Sequence, residues 1–145
     1  YKVWNSPVRT PLMRRMTTQI SGKLDLAAMC EGADIYLGTH DFGKFSGPLN
    51  IEGATTVRRI IRSEICQEGH VIDYTVEGNA FLPHQVRRMM GALVDVGRKI
   101  ISMDDLCRMV RRNSDKIAHS LPPQGLSLEE VRYDGFPPSK RKYSC

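Results

Sequence analysis

Two adjoining stretches decide the fold. They are His70-Val71-Ile72-Asp73-Tyr74-Thr75-Val76-Glu77 and, after Gly78, Asn79-Ala80-Phe81-Leu82-Pro83-His84-Gln85-Val86-Arg87-Arg88-Met89-Met90-Gly91-Ala92-Leu93-Val94-Asp95-Val96-Gly97. In the first, Val71, Asp73, Thr75 and Glu77 alternate with Ile72, Tyr74 and Val76. That period of two puts the charged side chains on one face of a strand, so the sheet meets polar surroundings on one side only. In the second, Leu82, Val86, Met89, Met90, Leu93 and Val96 recur at helical spacing, which predicts the longest amphipathic helix of the chain over residues 79–96. Two starts are open for it. Pro83 fits the first helical position, whereas Asn79 as a cap sets Pro83 deeper at the loss of one backbone hydrogen bond.

Working outward, residues 55–66 read as a strand joined to 70–77 through Gln67-Glu68-Gly69, whose glycine suits a tight hairpin with positive φ. Upstream, residues 37–51 are loop by composition, and Asp25 caps a predicted helix over 26–37 that Gly38 stops. Residues 1–5 read as a strand, a turn follows at Ser6-Pro7 and Pro11, and 15–20 is a further extended stretch. Downstream, Ser102 caps a helix over 103–112 with Asp104 and Asp105 favourably placed in its first turn. The loop Leu121-Pro122-Pro123-Gln124-Gly125 leads to a last predicted strand over 126–133, and the Pro, Lys and Ser-rich tail over 135–145 is expected to be disordered. The sum is an α+β fold, an antiparallel sheet with helices packed on one face.

The 145 residues suit one domain, and no run approaches the length of an apolar bilayer span. The opening Tyr1-Lys2-Val3-Trp4-Asn5 lacks the order of a signal peptide and suggests a piece of a longer polypeptide, so a cytoplasmic protein without a membrane partner is the expectation. Cys30, Cys66, Cys107 and Cys145 form no C-x-x-C pair, so no metal site is expected and reduced thiols are the reading. A formal net charge of +5 favours a polyanionic partner such as nucleic acid. Asp41-Phe42-Gly43 is not a kinase motif, since the glycine-rich and catalytic-loop motifs are missing; Asp41 reads as a turn or cap residue.

On the long helix Arg87 lies three residues after His84 and four before Gly91, off the apolar stripe. Its guanidinium is expected to hang over the His84 turn, while Gly91 leaves room for another backbone to approach. By itself this pattern also fits an arginine that is merely solvated.

The segment 79–97 resembles the N-A-F-L-x-x-M-V-R-x-x-x-G-x-L-x-x-V-G signature of the TruA family of tRNA pseudouridine synthases. Four other stretches agree in order: Asn5-Ser6-Pro7-Val8-Arg9 with W-N-S-P-V-R, Leu37-Gly38-Thr39-His40-Asp41-Phe42-Gly43-Lys44-Phe45 with L-G-x-H-D-F-x-x-F, Val57-Arg58-Arg59-Ile60 with V-R-T-I, and Gly125-Leu126-Ser127-Leu128 with Val131 and Tyr133 with G-L-x-L-x-x-V-x-Y. The chain departs from the pattern at Pro83 (usually histidine), Gln85 (methionine), Lys99 (glycine) and Thr56 (commonly proline).

The family's nucleophile is an aspartate in a G-R-T-D-x-G-x-H motif that does not occur here. The resemblance therefore implies a C-terminal half over 1–134, one half of an RRM/ferredoxin-like pseudouridine synthase, inactive without its N-terminal half. It implies an enzyme that isomerises uridine to pseudouridine in the tRNA anticodon arm, uses no cofactor and forms a homodimer. In relatives the arginine matched by Arg87 pairs with the catalytic aspartate. The resemblance further points to Asn79, Phe81, His84, Gly125 and Leu126 as substrate-binding. On their own residues, Asn79 reads equally as a cap, Phe81 as core, His84 as a solvated helix residue and Leu126 as strand core. Arg9, Arg58, Arg59, Arg88, Arg98 and Lys99 are the expected contacts to the RNA backbone. Two rival readings are a non-enzymatic RNA-binding module and a purely structural or oligomerisation domain.

Overall fold

The hairpin predicted from the alternating stretch is the centre of the sheet. In the computed structural model, which describes residues 1–49 and 53–133, strands β4 (Val57–Glu68) and β5 (Val71–Gly78) pair antiparallel through a turn at Gly69, whose φ is +58°. Strand β1 (Lys2–Asn5) joins the free edge of β5, and β3 (Gly38–Asp41) the free edge of β4, both antiparallel. The short β2 (Thr18–Ile20) closes the sheet by pairing parallel to β1, giving the order β2-β1-β5-β4-β3. The α+β reading holds, and the one parallel pair is its refinement: a twelve-residue excursion from Ser6 to Thr17 returns the chain in the direction in which it left.

Register separates the faces. Val3 opposes Ile72, Ile65 opposes Tyr74 and Ser63 opposes Val76, so these side chains share one face. A bulge between Ile60 and Arg62 lets Ile60 and Ser63, three apart, both turn inward, at 2% and 3% exposure. Helices α1 (Leu26–Ile35) and α2 (Gln85–Gly97) cover this face. The Ser63 hydroxyl donates to the Ala33 carbonyl at 2.7 Å and the Tyr36 hydroxyl to the Met89 carbonyl at 3.0 Å, tying β4 to α1 and α1 to α2. Met89, Met90 and Leu93 of α2 are fully buried with Ile72, Tyr74, Phe42 and Phe45 in one core, each side chain contributing about 1.5–3 kcal/mol. The other face carries Lys2, Asp73, Thr75, Glu77 and Glu64, with Lys2 and Asp73 paired at 3.7 Å.

Asp25 caps α1 as expected, accepting from the Ala28 amide. Ser102 caps α3 (Met103–Val110) in a reciprocal capping box with Asp105. Four expectations fail. The glycine-rich loop contains β3 and a 3-10 turn at Phe42–Phe45, because pairing with β4 and burial of both phenylalanines override the composition; Ile51 lies outside the described residues. The long helix starts at Gln85, so neither proposed start applies. Residues 126–133 form no strand: Leu128, Val131 and Tyr133 are exposed, and an apolar pattern alone supplies no ladder partner. Cys30 and Cys107 are free thiols, whereas Cys66 is disulfide-bonded, against the expectation of reduced thiols throughout. The tail over 135–145 lies outside the described residues. No helix among the described residues is long and apolar enough to cross a membrane.

Candidate functional site

The late start of α2 follows from where its neighbours spend their polar groups. The Asn79 carboxamide accepts the Arg59 amide at 2.9 Å, and the Asn79 amide donates to the Arg59 carbonyl at 3.0 Å, so Asn79 prolongs the β4–β5 ladder instead of capping the helix. The Pro83 carbonyl accepts the Gly47 amide at 2.7 Å, and His84 turns the chain at φ +62°. Gln85, 1% exposed, accepts the Leu82 amide at 2.8 Å and satisfies a donor just ahead of the helix.

This start fixes the azimuth of Arg87 and Gly91. A segment descending from α3, residues 118–122, runs along their face of α2, held by the buried Ala118 and Leu121. A methyl on Gly91 would overlap the His119 carbonyl oxygen, so the backbone approach expected at this glycine is real. The His119 ring bonds Asp95 at 3.0 Å. One turn earlier, the Leu121 amide donates to the Arg87 carbonyl at 3.3 Å, and the Arg87 Nε donates back to the Leu121 carbonyl at 2.6 Å. Half-buried Arg87 thus has its Nε consumed. Its two Nη atoms reach solvent and meet no hydrogen-bond or ion-pair partner among the described residues. A guanidinium held in this way presents its Nη–Nη edge as a fork that fits a carboxylate end-on.

Beyond Leu121 the chain passes Tyr1. The Tyr1 hydroxyl donates to the Pro122 carbonyl at 2.5 Å and lies 2.5 Å from the Thr18 hydroxyl. A Cβ on Gly125 would sit 2.7 Å from both the Tyr1 ring and the Lys2 carbonyl, so only glycine lets the chain cross there. Burial pushes the Tyr1 phenol above its usual range, opposed by the Thr18 hydrogen bond and by the positive charge of Arg87. Thr18, Leu121 and Pro122 were not singled out from sequence. Two consecutive prolines read as a connector, and the signal that could have found them is Gly125 just after them, where only glycine fits.

The other proposed positions scatter. Phe81 is 41% exposed beside Gly78, not core, and Leu126 is 44% exposed, not strand core. His84 is exposed at the head of α2. Arg58 folds back onto the Thr55 and Val57 carbonyls at 2.9 and 2.7 Å, Arg59 is exposed, and Arg88 has a buried Nε without a partner. Arg9 is exposed in the β1–β2 connection. Arg98 and Lys99 stand at the far end of α2, roughly 16 Å from Arg87 at 1.5 Å per residue, beside Ser21 and Asp25. Two open concavities of about 390 and 540 Å³ also lie at that far end, around Val96 and Lys99 and around Leu24 and Arg98. Neither contains Arg87. No group of three or more His, Cys, Asp or Glu among the described residues could hold a metal. Asp41 is structural: it accepts from Thr56 and from the Gly43 amide and pairs with Arg112 at 2.8 Å.

A family model described as tRNA pseudouridine synthase matches residues 33–134, the span that holds the Arg87 helix and the segment lying along it. The chain belongs to the tRNA pseudouridine synthase family. Among its synthase relatives, the tRNA pseudouridine synthase A of Geobacter sp. (strain M21) is 37% identical over 136 residues, covering 92% of this chain and 54% of the relative. Those of Leuconostoc mesenteroides subsp. mesenteroides and Myxococcus xanthus are 34% and 36% identical, covering 92% and 97% of this chain and 53% of each relative. The chain spans about half the length of the curated synthases it matches. One departure from the synthase pattern now has a physical reading: Lys99, where the pattern has glycine, sits at φ +61°.

Proposed function

We propose that this chain is the C-terminal half of a TruA-type tRNA pseudouridine synthase and that Arg87 pairs with the nucleophilic aspartate of the N-terminal half. The supporting observation is the half-tethered guanidinium, with Nε spent on Leu121 and both Nη atoms open to solvent. The reaction breaks the N-glycosidic bond of a uridine, turns the base and rejoins it to the ribose through carbon. No cofactor is required. The target uridine leaves the stack to be reached. Arg87 holds the aspartate ionised and oriented through a charge-assisted pair. Asn79, Phe81, His84, Gly125 and Leu126 shape the mouth of the nucleotide pocket, and its opposite wall comes from the other half. Of the basic set, Arg9, Arg58, Arg59 and Arg88 contact tRNA phosphates, while Arg98 and Lys99, at the far end of α2, serve a more distant stretch of backbone. The substrate region is the anticodon arm, the working assembly a homodimer in the cytoplasm with no membrane surface, and the fragment alone is inactive.

Release of the uracil C5 hydrogen from tRNA by the complete polypeptide tests this. Arg87→Ala strands a partly buried carboxylate, a cost of about 3–5 kcal/mol, so turnover should fall roughly 10²- to 5 × 10³-fold. Unchanged turnover in that variant overturns the assignment.

A further inference from the structure

We infer that Tyr1 is a positioning residue for this reaction, setting the aim of Arg87 through the segment 118–125; the inference rests on the role given to Arg87 above. Two consecutive carbonyls carry it. That of Leu121 takes the Arg87 Nε, and that of Pro122 takes the Tyr1 hydroxyl, at 2.6 and 2.5 Å. A phenol has one hydrogen, which goes to Pro122, so at the 2.5 Å contact the Thr18 hydroxyl is the donor to Tyr1. The tyrosine oxygen is therefore fixed from β2 and in turn fixes the segment. Tyr1 is 5% exposed, so its side chain is held within the fold.

The contacts on either side make this hydroxyl the adjustable element. Gly91 seats the His119 carbonyl against α2, and Gly125 seats the chain against the Tyr1 ring; both are close backbone approaches that allow almost no sliding. Between them the buried Leu121 side chain anchors the segment, and the hydrogen bonds at the Leu121 and Pro122 carbonyls set how those peptides are turned. Without the Tyr1 hydroxyl the part-buried Pro122 carbonyl loses this partner and turns to find another donor. That rotation moves the Leu121 carbonyl and with it the Nε anchor of the guanidinium. Misplacement of a pairing group by a fraction of an ångström acts on the chemical step and leaves tRNA affinity, spread over many phosphates, unaffected.

The test uses the complete synthase polypeptide with Tyr1→Phe, Arg87→Lys and the double variant. Lysine keeps the charge but cannot both bond Leu121 and present a fork. Tyr1→Phe is expected to lower kcat roughly tenfold with KM for tRNA within about twofold, and to have less than about a twofold effect on kcat once Arg87 is lysine. If Tyr1→Phe does not yield folded protein, Gly125→Ala displaces the segment from the other side and should show the same coupling to Arg87. A Tyr1→Phe enzyme with wild-type kcat, a rise in KM alone, or full loss persisting in the Arg87→Lys background overturns the inference. Wild-type turnover by Arg87→Lys and Arg87→Ala sinks the role of Arg87 itself, a separate outcome.

Discussion

Gly91→Ala is the perturbation whose sign decides whether the 118–122 segment truly rests on α2. In an otherwise free helix interior, replacing glycine by alanine stabilises by about 0.8–1 kcal/mol, because the glycine backbone loses more entropy on folding. Here the new methyl would overlap the His119 carbonyl oxygen, a backbone atom that cannot swing aside as a side-chain tip does. Overpacking of this kind costs about 1–3 kcal/mol. If the segment lifts instead, it loses the Leu121–Arg87 backbone bond and the His119–Asp95 contact, at about 0.5–1.5 kcal/mol for a typical hydrogen bond. Either route offsets the propensity gain, and the net expectation is a loss of about 1 kcal/mol. Urea denaturation of the chain, followed by far-ultraviolet circular dichroism, reads the change as a lower midpoint at constant slope. A gain near 1 kcal/mol, the value for an uncovered helix, would refute the packing argument.

Two further outcomes follow from local features. Lys99→Gly relieves a positive φ just past the end of α2 and should stabilise by about 0.5–1 kcal/mol, since the exposed Lys99–Asp25 pair at 3.9 Å contributes little; thermal denaturation showing a lower Tm would contradict this. For Asp41, burial raises the carboxyl pKa, but hydrogen bonds from Thr56 and the Gly43 amide, with the Arg112 charge, outweigh it and hold the group below its usual value. A depressed carboxylate stabilises the fold above its unfolded pKa of about 3.9 and loses that contribution as pH falls through the folded value. Asp41→Asn should therefore lower Tm at neutral pH, with the difference closing as pH falls below the ordinary carboxylate range; a difference that persists in acid would show that the loss is not electrostatic.

What the sequence determined by itself was whatever depends on local periodicity and local chemistry. The alternation over 71–77 defined a strand with one wet face, Gly69 its turn, Asp25 and Ser102 two helix starts, and the stripe from Leu82 to Val96 the buried side of α2. Gly91 was legible as a backbone contact because a missing Cβ inside an amphipathic helix has few other uses. What only tertiary structure decided was every choice that depends on a distant partner. β3 exists because β4 offers it a ladder, and Asn79 serves β4 instead of α2 because the Arg59 amide lies across from it. Residues 126–133 have an apolar pattern but join no ladder. The tether of Arg87 joins residues 34 apart, and the latch on Tyr1 joins residues 121 apart. Such contacts leave no period in the chain, because they are hydrogen bonds to backbone carbonyls, and every residue type carries one of those.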